Sequence, residues 1–168
     1  MALPKAEELV LQLGMLPHPE GGFYKETYRS PGKIPATALD VSFAGDRNHA
    51  TAIYYLLEQG DFSAFHKIRQ DEIWHYYLGG PLLLHVIDKD GNYYAQWIGK
   101  DIAAGHRPQW VVAAGDWFAA EPAPNSDYCL MGCTVAPGFD FADFELASRD
   151  ELSKTFPQHK DLIKRLTR

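Results

Sequence analysis

The sequence predicts an all-β sandwich or barrel with short helices at its two ends. Three observations carry this. Between Ala50 and Val135, short runs of β-branched and aromatic residues recur, each closed by a turn rich in Gly, Pro, Asp or Asn, the pattern of an antiparallel sandwich or barrel. Helical periodicity is confined to the ends of the chain. No repeat, low-complexity tract or linker divides the 168 residues, a length that suits one domain with a core of its own.

In chain order, the first segment reads as a helix. Pro4 suits its first turn, Ala6, Leu9, Val10 and Leu13 line one side, and Gly14 can end it. Pro17, Pro19, Gly21 and Gly22 then forbid a regular element. Phe23–Tyr28 alternates as a strand does, with Tyr24, Glu26 and Tyr28 on one face and Phe23, Lys25 and Thr27 on the other. A Pro/Gly-bearing loop precedes the strands "TAIYYLLE", "FSAFHKI", "EIWHYYL", "LLLHVI", "YYAQWI", "QWVV", "DWFAAE" and "YCLMGCTV". Asp88–Asn92 has the residues of a hairpin turn. Ser148-Arg149-Asp150-Glu151 is a capping box, and Leu162, Ile163 and Leu166 share a face of a last helix. The expected division is an N-terminal arm to about residue 48, a β core over about 50–136 and a helical tail over about 137–168.

Charge narrows the partners. Acids outnumber bases 22 to 16, for a net charge of -6, so phosphate backbones and anionic membranes repel the chain on average. Neither nucleic acid nor membrane is an expected partner. Cys129 and Cys133 fall in one strand, about 13 Å apart and beyond disulfide reach; reduced thiols fit a cytoplasmic location. The first residues lack the apolar core of a signal peptide. No phosphate-binding glycine loop or Gly-x-Ser-x-Gly elbow is present.

Chemistry concentrates in "FSAFHKIRQDEIWHYYLGG", Phe62–Gly80. Strand alternation puts Ala64, His66 and Ile68 on one face; past the turn, Glu72, Trp74, Tyr76 and Leu78 share one face and Ile73, His75 and Tyr77 the other. A hairpin about "RQD" would bring His66 and Glu72 together on the inner surface. Glu72 and His75 form a Glu-x-x-His, but on a strand this offset sends the two to opposite sides, so it is a poor metal motif there.

This stretch resembles the first cupin motif, a Gly, five residues, His-x-His, three or four residues, Glu, six residues and a Gly. Gly60, His66, Glu72 and Gly79 stand in register, with Ile68 in place of the second His. "AAGDWF" is similar to the second motif, Pro-x-Gly-x-x-His, with Ala113, Gly115 and Phe118 at the three positions. With "HPEGGFYKETYRS" and "PGFDFADFELASRDELSKTFP", nearly the whole chain looks like a branch of small bacterial and fungal cupins similar in fold to the dTDP-sugar epimerases. The resemblance implies a cupin double-stranded β-helix, a jelly-roll barrel with short N- and C-terminal helices. It also implies a homodimer, paired through exchange of the N-terminal arm. Carried over by position, the metal ligands become His66, Ile68, Glu72 and Phe118, and two hydrocarbons among four do not hold an ion. No metal and no other cofactor is expected.

The functional expectation is a small-molecule-binding cupin of the epimerase or isomerase kind, acting on a carbohydrate-like or nucleotide-linked ligand. His66 would be base and Glu72 would orient or charge it, with Trp74, Tyr76, Phe118, Ile68, Tyr24 and Arg29 around the ligand. The plainer reading makes His66 and Glu72 a buried structural pair, Trp74 and Tyr76 core, His85 a satisfied core histidine, and Glu20 part of an edge or arm. Two alternatives are a metal-dependent cupin using His85 or Glu121 from outside the motifs, and a binder without turnover.

Overall fold

A computed structural model describes residues 3–40 and 43–168. Helix α1 (Ala6–Leu13) leads into strands β1 (Leu16–Pro17) and β2 (Phe23–Arg29), then the short β3 (Lys33–Ile34) and β4 (Arg47–Asn48). The main strands follow as β5 (Thr51–Glu58), β6 (Ser63–Lys67), β7 (Asp71–Gly79), β8 (Leu82–Ile87), β9 (Tyr93–Ile98), β10 (Gln109–Val112), β11 (Trp117–Pro122) and β12 (Tyr128–Ala136). β13 (Glu145–Leu146) precedes helices α2 (Arg149–Thr155) and α3 (Lys160–Arg165).

The strands form two antiparallel sheets, ordered β1-β2-β5-β12-β7-β10 and β13-β6-β11-β8-β9, with β3 and β4 paired apart. This is the expected all-β architecture. Alternation explains why the sheets pack face to face. Tyr55, Trp74, Met131 and Cys133 point inward from one, and Leu84, Val86, Phe118 and Ala120 from the other, into one core. The opposite faces are buried by the chain ends. α1 lays Leu9 on Leu56 and Leu130 behind the six-stranded sheet. α2 and α3 lay Leu152, Ile163 and Leu166 on Phe65, Ile87 and Ala119 behind the five-stranded one. α1 stops where expected, at Gly14, whose left-handed backbone (φ 61°) lets the Met15 N–H reach the Val10 carbonyl.

Two departures matter for the site. "RQD" is not a hairpin: β6 belongs to the five-stranded sheet and β7 to the six-stranded one, so the chain crosses between sheets there. β6 pairs with β11 and β13 instead, Phe118 opposite His66. Strand β2, moreover, does not alternate to its end. Its pairing with β5 slips between Glu26, opposite Ile53, and Tyr28, opposite Ala52. This bulge turns Tyr28 outward, 52 % exposed, and brings Arg29, opposite Thr51, to the same side as Glu26.

Cys129 and Cys133 are free, buried thiols. Among the described residues no helix is long and apolar enough to cross a membrane.

Candidate functional site

A cavity of about 320 Å³ opens between the sheets. Its buried part is made by Glu20, Thr51, Tyr55, His66, Ile68, Glu72, Cys133 and Val135, with the half-buried Ile53 between them. Toward the mouth stand Tyr24, Glu26, Arg29, Phe139, Asp140 and Phe141, with His18 and Phe144 along the side. The volume lies at the small end of ordinary ligand pockets.

The "HPEGG" loop brings Glu20 to the site. Its own turn is closed by His18 N–H to the Gly22 carbonyl and Gly21 N–H to the His18 carbonyl. The loop is sewn to neighbouring strands by Ala64 N–H to the Glu20 carbonyl at 2.8 Å and by Tyr55 Oη–H to the Gly21 carbonyl at 2.7 Å. Gly22 N–H donates to Asp61 Oδ2. Gly22 has φ 67°, and a β-carbon there would come within 2.5 Å of the Leu56 carbonyl oxygen, so only glycine fits. The aromatic wall Phe139–Phe144 is held from behind. Arg47 grips Asp143 through Nε to Oδ2 at 2.7 Å and Nη2 to Oδ1 at 2.6 Å, and Gln70 Nε2 adds a third bond to Oδ2. The pair is buried, and its bidentate geometry fixes the short helical turn that carries Phe141 and Phe144.

Hydrogen bonds fix the protons. His66 Nδ1 lies 2.7 Å from the Ala64 carbonyl, which can only accept, so Nδ1 carries a hydrogen. Nε2 faces Glu20 Oε2 at 3.1 Å. At that distance one hydrogen lies between the two atoms, and burial, which lowers His66 to about 4 and raises Glu20, favours the uncharged form of the pair over an imidazolium–carboxylate. Ser63 Oγ–H donates to Glu20 Oε1 at 2.9 Å. His18 Nδ1 accepts the Glu20 backbone N–H at 3.3 Å, and burial keeps this ring neutral too. Glu72 is raised to about 8, first by burial, then by the neighbouring Glu20, against a hydrogen bond with the Cys133 thiol. Near pH 7 it is a carboxylic acid. Cys133 is itself pushed well above its ordinary value by burial and stays a thiol.

The structure therefore brings together His66, Glu72, Ile68, Tyr24 and Arg29, all on the cavity wall. It sets Trp74, Tyr76 and Phe118 elsewhere. Trp74 and Phe118 belong to the closed core beneath, with Phe118 supporting the His66 ring at 4.1 Å between centroids. Tyr76 packs on that core and donates its hydroxyl hydrogen to the Gly79 carbonyl. The partner of His66 is Glu20, not Glu72, because β6 and β7 sit in different sheets. Sequence reasoning gave no role to His18 or to Phe139, Phe141 and Phe144. Their signal was the density of rings around "HPEGG" and in "GFDFADF", lying outside any predicted element. His85 and Glu121 do meet, Nε2 to Oε1 at 3.0 Å, with Arg165 on the other carboxylate oxygen and Tyr93 Oη at His85 Nδ1. They lie on the helix side of the five-stranded sheet, away from the cavity.

The donors at the cupin ligand positions do not fit a metal. Ile68 and Phe118 are hydrocarbon, and both nitrogens of His66 are engaged by the protein. Among the described residues no group of three or more His, Cys, Asp or Glu side chains is placed to hold an ion.

Comparison with known proteins agrees with this architecture. The chain is 33 % identical over 156 residues to the uncharacterized protein YML079W of Saccharomyces cerevisiae, covering 87 % of this chain and 77 % of that one. Among solved structures, protein SO0799 of Shewanella oneidensis is 37 % identical with a TM-score of 0.87, covering 99 % of both chains. A hypothetical protein of Leishmania major is 33 % identical with a TM-score of 0.89, covering 98 % of this chain and 99 % of that one. An oxalate decarboxylase variant of Bacillus subtilis shares the fold alone, with 13 % identity and a TM-score of 0.54 over 89 % of this chain and 36 % of that one. Residues 7–147 match the family described as Cupin superfamily (DUF985); the chain is a member of that family.

Proposed function

We propose that the cavity binds a small molecule and moves a proton on it, as an isomerase or epimerase does. The observation that supports this most is the pairing of unlike proton carriers on one wall. His66–Glu20 holds a single shared proton, and Glu72 carries its own at neutral pH. A carbon acid, a C–H beside a carbonyl or imine, would give its proton to the His66–Glu20 pair. Glu72 would return one and become the counter-charge of the pair it faces. Each such transfer typically contributes about 10²–10⁴-fold in rate. A carbohydrate-like ligand follows from the motif resemblance, while the charges favour it over a nucleotide-linked one. Among the described residues Arg29 is the one guanidinium on the cavity wall, and its Nε and Nη2 already donate to Glu26 while Nη1 donates to Asn48 Oδ1 and the Phe139 carbonyl.

The test is hydrogen exchange from D₂O into a panel of aldoses, ketoses and their amino forms, followed by NMR. The wild type should exchange a C–H of at least one compound, and His66→Ala should lose that exchange while keeping its circular dichroism. Equal exchange in the variant would remove His66 from the reaction. A second reading, binding without turnover, is supported by the engagement of both His66 nitrogens; it predicts calorimetric binding with no exchange in either protein.

A further inference from the structure

The cavity is rich in acid and poor in base. Among the described residues its wall holds four carboxyl groups, Glu20, Glu26, Glu72 and Asp140, against one guanidinium, Arg29, which is already paired. Glu72 is only 8 % exposed, and among the described residues no Lys or Arg forms an ion pair with it or with Glu20. An acid buried without a cation is costly in its charged form. Aromatic rings make up the rest of the surroundings. Tyr24, Tyr55, Phe141 and Phe144 cluster around His18, with centroids 4.7 to 6.0 Å from it, and Phe139 packs on Phe141 at 5.0 Å. Ring faces attract cations, most of all where water is excluded.

We infer that the ligand of this cavity carries a positive charge: an ammonium, an amidinium or a protonated nitrogen ring, enclosed by the aromatic wall and paired with the Glu72 carboxyl group. This rests on the small-molecule reading above and narrows it. A cation supplies what the wall lacks, whereas a phosphate or carboxylate would find no unpaired cation among the described residues of the wall and would oppose ionisation of Glu72. Binding also makes a prediction about protons. Glu72 is uncharged at pH 7 in the free protein, and a cation beside it favours the carboxylate, so binding expels a proton. Glu20 and the Cys133 thiol act on Glu72 directly, and His66, His18, Tyr55 and the Glu26-paired Arg29 stand on the same wall with Glu26 and Asp140. None of them offers Glu72 a free positive charge: both histidines are held neutral by burial and Arg29 is taken by Glu26.

Three probes of one shape and different charge decide this: benzamidinium, benzamide and benzoate, titrated calorimetrically into the wild-type protein at pH 7. Benzamidinium should bind at least about tenfold tighter than benzamide, ~1.4 kcal/mol, and benzoate weakest. Repeating the titration in buffers of different ionisation enthalpy should show release of close to one proton per benzamidinium bound. Glu72→Gln should abolish the release and erase most of the preference. Phe141→Ala, at a half-exposed position where folding is not at stake, should weaken benzamidinium more than benzamide. Benzamide or benzoate binding as tightly as benzamidinium, or no proton release, overturns the cation and leaves the pocket. Failure of all three to bind at millimolar concentration overturns both.

Discussion

At the scale of single residues, Glu72 and His66 make opposing claims on pH. Glu72 has a folded value of about 8 against an ordinary 4.5. The fold therefore binds its proton more tightly than the unfolded chain, and the stability it favours is complete below about 4.5 and lost as pH rises through about 8. His66 runs the other way. Its folded value, about 4 against an ordinary 6.5, makes the fold gain stability as pH rises from about 4 to 6.5. Between those limits the two offset each other; above pH 6.5 only Glu72 acts. Stability should be nearly level between about pH 4.5 and 6.5 and fall by roughly 1–2 kcal/mol on going to pH 8. Urea unfolding at a series of pH values checks this. Glu72→Gln should flatten the upper limb and uncover the His66 rise, so that stability climbs from about pH 4 to 6.5. An unchanged upper limb would mean that the Glu72 carboxyl is not held neutral.

Elements decide which residues meet, and here the sequence was legible in part. Strands β8 and β9 fall on the expected "LLLHVI" and "YYAQWI", because period-two alternation between glycine and aspartate turns leaves little choice. His66, Glu72 and Ile68 reach the cavity because parity along one strand is a local property. What parity cannot supply is which sheet a strand joins. The step from β6 to β7 reads locally like a tight hairpin, yet the apolar faces of both sheets are satisfied only when the chain crosses over. Glu20 then takes the place beside His66 that a local hairpin would give to Glu72. The bulge in β2 was equally hidden, since "FYKETYR" alternates well enough and only pairing with β5 reveals the extra residue. The aromatic wall depends on a longer-range link, Arg47 to Asp143, 96 residues apart. Asp143→Ala leaves the Arg47 charge buried and unpaired, and should cost about 3–5 kcal/mol. Because the same bond holds Phe141 and Phe144, the variant should also weaken benzamidinium binding where it remains folded. Denaturant unfolding and calorimetry below the unfolding transition measure the two effects. Full stability in the variant would show that the wall is held by something else.

For the whole molecule, the homodimer is a proposal that the outer surface supports. α1 covers one half of the six-stranded sheet's outer face. Over the other half, Tyr77 is 49 % and Val111 46 % exposed, with Ile73 opposite Val111 and His75 stacked beside Tyr77. The Tyr77 ring lies flat over Gly132, where a β-carbon would collide with it, so the surface is a platform rather than loose side chains. Strand β2 is paired with β5 of its own chain, which favours contact through this face over exchange of the arm. A second copy would cover the tyrosine and valine at the cost of bringing two charges of -6 together. That repulsion is screened by salt, with a Debye length of about 10 Å at 0.1 M. Sedimentation at micromolar concentration should therefore give twice the 18.9 kDa chain mass, with the dimer favoured as salt rises. Tyr77→Glu with Val111→Glu should return it to monomer without altering probe binding in the cavity. A wild-type monomer at every salt concentration would refute the pairing and leave the cavity argument standing, since none of its wall residues comes from this face.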